Sequence, residues 1–324
     1  SFKEMQIKEN IKLLKKVSCI GGINLDIKGS PFKRLELQTS NPGKVFYSSG
    51  GVARNVAHNL VKLNVPINLI GAVGNDSFGE IILNEMNNLD IETGHIKISK
   101  HFQTGVYLAI LNEIRDMYVS ISDMQIMEEI DTVFLEEKKD FIIDSKIIFL
   151  DTNLNVDVIN FVLKLVENKN IKVIINAVSI AKVKKLLQVD NNVDYLTLNF
   201  MELNSLLDKE LEFPNREGII KNIQQKIPNF TNIVITNGAD GIYFFSRKDN
   251  NLNFFPVKEM SSEEIIDTNG AGDAFTAGFI YGLYNDLGIN QSIYYGIKAS
   301  QITMKSYKTV SDELYKILEE TENN

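Results

Sequence analysis

Ile147-Ile148-Phe149-Leu150, Val173-Ile174-Ile175, Tyr195-Leu196-Thr197-Leu198 and Ile233-Val234-Ile235-Thr236 are four short, almost wholly apolar runs, spaced 26, 22 and 38 residues apart. A run that is apolar at consecutive positions buries both faces of a strand, as strands of a parallel sheet do. Helical patterns lie between the first three runs, at Val156–Glu167 and Ile180–Leu187. Strands and helices in that alternation predict an α/β sandwich of three layers, with a mostly parallel central sheet. Upstream, Val17–Gly22 and Ile67–Val73 read as further buried strands. The helix opened by Gly50-Gly51 and running through Asn64 carries Val52, Val56, Leu60 and Leu63 on one face. Phe78–Leu89 predicts another helix. Tyr243–Phe245 and Phe254–Val257 read as a late antiparallel pair, and Ala271–Tyr284, Gln291–Tyr307 and Ser311–Glu320 as terminal helices.

Two segments break the pattern. Residues 23–49 contain Pro31, Pro42 and several Gly and Ser between short alternating stretches, which suits edge strands and turns. Thr104–Asn112 and Met117–Ser122 flank the polar turn Glu113–Asp116, a hairpin signature. Together they predict a small β-sheet apart from the main one. The expected organisation is an N-terminal extension at 1–16, a main domain at 17–310 with small-sheet segments at about 23–49 and 104–122, and a C-terminal helix at 311–324.

Composition narrows the classes of function. The formal net charge is −8, with 34 Lys and Arg against 42 Asp and Glu and no basic cluster, which argues against nucleic acid as a partner. No apolar run is long enough to span a membrane. The single cysteine, Cys19, lies in an apolar strand and excludes an internal disulfide or multi-Cys metal site. Ser1–Lys16 is charged and amphipathic rather than signal-like, so a cytoplasmic location is expected. His58, His95 and His101 are dispersed and read as surface or structural residues.

Four motifs carry chemistry. In Asp267-Thr268-Asn269-Gly270-Ala271-Gly272-Asp273 a glycine-rich turn opens an apolar helix. Free backbone amides and the positive end of the helix dipole at such a turn bind phosphate, and Asp273, in the first helical turn, is placed to accept a proton from a substrate hydroxyl. In Gly50-Gly51-Val52-Ala53-Arg54-Asn55, Asn55 falls one turn into a helix and can offer its amide to a sugar hydroxyl. Asn199-Phe200-Met201-Glu202 follows a strand, where polar residues line the crevice of open parallel sheets; a plain helix-capping Asn199 is the alternative. Thr236-Asn237-Gly238 also follows a strand. There is no G-x-x-x-x-G-K-[ST] loop, no G-x-G-x-x-G and no H-E-x-x-H.

In this order the motifs resemble those of the ribokinase/phosphofructokinase-B family of carbohydrate and nucleoside kinases: D-T-x-G-A-G-D at Asp267–Asp273, G-G-x-x-x-N at Gly50–Asn55, and N-x-x-E at Asn199 and Glu202. The resemblance runs from about Val17 to Val310. Asn269 departs from the usual Thr. Ser40-Asn41-Pro42-Gly43 and Gly50-Gly51-Val52-Ala53-Arg54-Asn55 are similar to the subgroup acting on pseudouridine.

The resemblance implies ATP-dependent phosphorylation of a 5′-hydroxyl. Asp273 would be the base, and Gly270, Ala271 and Gly272 would hold the transferring phosphoryl group. Asn24, Asp26, Gly50, Gly51 and Asn55 would grip the sugar, with Ser40 and Asn41 reading the base. Asn199, Glu202, Thr236 and Gly238 would serve ATP, with Mg²⁺ positioned by Glu202 through water and K⁺ held by Asp267 and the Asn269 carbonyl. The resemblance also implies that the small β-sheet at about 23–49 and 104–122 is a lid over the sugar site, and that a homodimer pairs through the lid. Ribose, another nucleoside, fructose or 2-keto-3-deoxygluconate are alternative acceptors, and a non-catalytic nucleotide sensor is the alternative class.

Overall fold

A computed structural model describes residues 14–212 and 215–322. Its strands in chain order are β1 (Lys16–Ile20), β2 (Asn24–Pro31), β3 (Gly43–Gly50), β4 (Ile67–Gly74), β5 (Ile96–Ser99), β6 (Gly105–Leu111), β7 (Met117–Asp123), β8 (Ser145–Asp151), β9 (Lys172–Asn176), β10 (Val193–Asn199), β11 (Phe230–Thr236), β12 (Ile242–Ser246) and β13 (Asn251–Phe255). Nine of them form one sheet in the order β13-β12-β11-β10-β9-β8-β1-β4-β5. The pairs from β11 across to β5 are parallel, whereas β11–β12 and β12–β13 are antiparallel. The family-type α/β fold expected from the strand–helix alternation is therefore present.

The continuous apolar runs have a direct structural reason: neighbouring residues of one strand feed opposite layers. Ile147, Phe149 and Ile174 pack against the helices Val52–Lys62, Ala271–Tyr284 and Gly288–Met304 on one face. Ile148, Leu150 and Ile175 pack on the other, against Val156–Leu165, Phe200–Leu207 and Arg216–Lys226. Cys19 is fully buried, and burial pushes its thiol pKa up, so it stays a neutral core residue. His58 and His95 are also buried, the latter with its ring 4.2 Å from that of Phe141.

The remaining strands form a separate four-stranded sheet, β3-β2-β6-β7. β2 pairs antiparallel with β3 and parallel with β6, which pairs antiparallel with β7. The sequence reading passes over β5, which is four residues long with mixed exposure, too short to show a period. β13 begins at Asn251 because its polar residues alternate outward on a sheet edge. The last helix starts at Lys316 rather than Ser311. Residues 1–13 of the expected N-terminal extension lie outside the described residues. Among the described residues no helix is long and apolar enough to cross a membrane.

Candidate active site

The turn Asp267–Gly270 and the helix Ala271–Tyr284 present the first group of residues. Gly270 has φ +79°, and a Cβ there would lie 2.3 Å from the Thr309 carbonyl oxygen, so no side chain fits. Gly272, by contrast, has no heavy atom within 4 Å of where its Cβ would stand. The amide of Ala271 donates to the Thr268 carbonyl at 3.2 Å, whereas those of Gly270 and Gly272 have no protein acceptor among the described residues. Of the three amides expected to hold an anion, two are thus uncommitted. Asp267 accepts the Asn269 amide at 2.8 Å, and the Asn269 side chain donates to Thr309 Oγ1 at 3.2 Å.

Asp273 sits in the first turn of that helix, where Asn55 of the Val52–Lys62 helix donates to its Oδ2 at 2.9 Å. These residues are 218 apart in sequence; the packing of the two helices brings them together. Burial, with the charges of Asp151 and Asp26, raises the Asp273 pKa from 3.8 to about 7, against the Asn55 hydrogen bond and the Arg54 charge. Such a carboxylate is poised as a proton acceptor near neutral pH.

The start of β2 and the end of β3 supply the next group. Asn24 Nδ2 donates to Asp26 Oδ1 at 2.7 Å. A Cβ at Gly50 would stand 2.3 Å from Asp26 Oδ2, and one at Gly51, whose φ is +97°, would stand 2.3 Å from the Gly22 carbonyl. The diglycine is what lets strand and turn close on each other. Beneath them Asp151 ends β8, fully buried, and accepts the amides of Gly22 at 2.9 Å and Ala53 at 3.0 Å. Sequence reasoning passed over Asp151; its signal was an acid closing an apolar strand at the carboxyl edge of the sheet.

At the ends of β10 and β11, Asn199 and Thr236 are register partners. Asn199 Oδ1 accepts the Glu202 amide at 2.8 Å and Glu202 Oε2 accepts the Asn199 amide at 2.9 Å, a capping box. The Asn199 side-chain oxygen is therefore a helix cap in this structure. Its effect is to hold buried Glu202, whose pKa burial raises, with Oε1 free of protein partners among the described residues. Beyond Thr236 and Gly238 opens a cavity of about 290 Å³, also lined by Val257, Met260, Phe275 and Met304, which reaches Ala271 and Gly272. Its apolar walls come from dispersed loop and helix positions that no motif marks.

Ser40 and Asn41 are not brought to these groups. They lie in the 32–42 loop beyond β2, Ser40 exposed. The Asn41 amide is engaged within its own loop: Oδ1 accepts the Glu36 amide at 2.8 Å, and Nδ2 donates to the carbonyls of Glu36 at 2.8 Å and Thr39 at 3.2 Å. This corrects the expectation that Asn41 offers a free amide edge to a base. The register of the second sheet instead aligns Ser48, Asp26, Tyr107 and Ser122 in one row across its four strands. Tyr107 and Ser122 are thereby on the same face as Asp26, a relation invisible in sequence. Among the described residues no three His, Cys, Asp or Glu side chains converge as a metal site.

Residues 14–314 match the model of the pfkB family carbohydrate kinases. The chain is similar to the pseudouridine kinase of Escherichia coli, 28% identical over 92% of this chain and 93% of that protein. It is 25% identical to a ribokinase of Lactococcus lactis, over 90% of this chain and 91% of the relative. Among solved structures, Arabidopsis thaliana ribokinase complexed with ribose and ATP superimposes with a TM-score of 0.82 at 18% identity, over 94% of this chain and 99% of that one.

Proposed function

The chain belongs to the pfkB family of carbohydrate kinases and is an ATP-dependent kinase, and from that premise we propose that it phosphorylates the 5′-hydroxyl of pseudouridine, giving pseudouridine 5′-phosphate and ADP. The observation that carries the chemistry is Asp273, its pKa raised to about 7, hydrogen-bonded to Asn55 in the turn after two uncommitted glycine amides. The similarity to Escherichia coli pseudouridine kinase supports the choice of acceptor.

In this reading Asp273 takes the proton of the 5′-hydroxyl as that oxygen attacks the γ-phosphorus of ATP. The bond from phosphorus to the β–γ bridging oxygen breaks, and ADP leaves. The amides of Gly270 and Gly272 face the charge spread over the transferring oxygens, in a site pre-set by the backbone. Asp26, steadied by Asn24, and Asn55 grip the ribose hydroxyls, with Gly50 and Gly51 allowing the close approach. Thr236, Gly238 and the apolar cavity receive the nucleotide. Tyr107 and Ser122, in line with Asp26, are the lid residues proposed to meet the base.

The donor set suits Mg²⁺ carried in by the nucleotide: among the described residues Glu202 offers one uncommitted oxygen, and no group of three His, Cys, Asp or Glu forms a protein cage. Glu202 would hold the ion through water, and the ion would supply charge neutralisation on the phosphates. Asp267 and the Asn269 carbonyl are the proposed K⁺ ligands. An initial-rate panel over pseudouridine, uridine, guanosine, ribose and fructose tests the acceptor; preference for any other member rejects pseudouridine. Activity is expected to vanish in EDTA and return with Mg²⁺, and K⁺ to stimulate it.

A further inference from the structure

We propose that Arg54 is a positioning residue: anchored by Glu85, its guanidinium holds the Asn55 amide in the one orientation that donates to Asp273. The proposal rests on the phosphoryl-transfer reading above. The two ends of an amide are nearly the same shape, but only the nitrogen can donate to a carboxylate. Turned over, Asn55 would set its oxygen against Asp273 Oδ2. Arg54 Nη1 donates to Asn55 Oδ1 at 2.9 Å, and a guanidinium, which has no acceptor, excludes the reversed amide.

The guanidinium is itself held from three sides. Nη1 also donates to the Ser49 carbonyl at 3.1 Å, Nη2 to Glu85 Oε1 at 3.0 Å, and His58 Nδ1 lies 3.4 Å from Nη2. The second oxygen of Glu85 accepts the Ser49 hydroxyl. One carboxylate on the Ser77–Asn88 helix therefore ties the end of β3, just before Gly50-Gly51, to the helix carrying Asn55. The relay runs from Glu85, 42% exposed, through Arg54, 2% exposed, to the proposed base. A buried arginine with a single carboxylate partner is poor value for stability alone.

The groups acting on Asp273 are the Asn55 amide and the Arg54 charge, which lower its pKa, and Asp151 and Asp26, which raise it. Around Arg54 stand Glu85, Asp26, Asp273 and His58. Burial and the Arg54 charge depress the His58 pKa to about 3, so His58 is neutral. With His58 neutral, the positive charge acting on the proposed base is that of Arg54.

The test compares Glu85→Gln, Arg54→Gln and the double variant, using whichever of pseudouridine, uridine and ribose the wild type turns over fastest. Each single variant is expected to lose about 10-fold in kcat, the scale of a slightly misplaced reacting group, with KM for ATP unchanged. The double variant should lose no more than the worse single one, because both act on one device. In Arg54→Gln the acid limb of kcat/KM should move to higher pH. Wild-type kcat in Glu85→Gln, additive losses, or an unmoved acid limb in folded Arg54→Gln would overturn the proposal. If Arg54→Gln fails to fold, Glu85→Gln decides through its kcat and KM for ATP. Full turnover by Asp273→Asn would reject the underlying base assignment and the relay with it.

Discussion

Asp273 is a carboxylate kept where its charge is unwelcome, and that has consequences for both rate and stability. Asp273→Asn should lose about 10²–10⁴-fold in kcat, the usual contribution of a positioned base, while ATP still binds. In the wild type the acid limb of kcat/KM should report an apparent pKa of about 7. The folded state binds this proton more tightly than the unfolded chain, since the pKa rises from 3.8. Stability contributed here is present at low pH and is lost as pH rises toward the folded value. Asp273→Asn should therefore melt above wild type at pH 8, with the gap closing toward pH 5, as thermal denaturation at several pH values would show. Asn41 carries the opposite kind of prediction. With its amide engaged by Glu36 and Thr39, Asn41→Ala should cost about 0.5–1.5 kcal/mol of stability and change kcat/KM for pseudouridine and ribose in equal proportion. Selective loss on pseudouridine would return Asn41 to the base.

The glycine turn before the Ala271–Tyr284 helix divides its labour between shape and space. Gly270 is needed for its left-handed backbone and its contact with the Thr309 carbonyl. Gly272 is unobstructed by protein, so its bare Cα matters only for what enters from outside. Gly270→Ala should lower Tm, with a backbone penalty of about 1–3 kcal/mol before the clash is counted. Gly272→Ala should keep the wild-type Tm yet reduce kcat by up to about 10²-fold, because a methyl group would displace the incoming phosphoryl group. Paired melting curves and rates separate the two. Equal Tm losses would mean that Gly272 too is structural. The capping box at Asn199 and Glu202 makes the structural reading of that motif an observation and leaves room for the functional one proposed above: the cap engages Glu202 Oε2 and leaves Oε1 without a protein partner among the described residues.

Across the whole molecule, the second sheet has two unlike faces. Its register places Tyr47, Ile27, Leu108 and Ile121 in one row, and Val45, Ile110 and Val119 in the parallel row two residues on, opposite in face to Asp26. Tyr47, Val45 and Ile121 are 64%, 73% and 66% exposed. A contiguous apolar face on a small sheet is a mark of association, and the proposed occupant is the same face of a second copy. Sedimentation of the wild type should give a dimer, and Ile121→Lys should sediment as a monomer with an unchanged circular dichroism spectrum. A monomeric wild type would reject the pairing.

The sequence by itself determined the α/β architecture, because a strand buried on both faces must be apolar at nearly every position, and the runs at 147–150, 173–175, 195–198 and 233–236 are, with Thr197 and Thr236 as the exceptions. It also marked the turn ending at Gly270 and the diglycine at Gly50-Gly51, since positive φ and close approach of neighbouring atoms restrict those positions to glycine. What it left open were relations between distant segments. The contact of Asn55 with Asp273, the seat of Asp151 beneath Gly22, the apolar walls of the cavity and the alignment of Tyr107 and Ser122 with Asp26 each join residues from separate elements. Asn41 is the sharpest case. Its neighbours Pro42 and Gly43 announce a turn, but whether its amide turns inward to the loop or outward to a ligand depends on where Glu36 and Thr39 fall, and only the folded loop decides that.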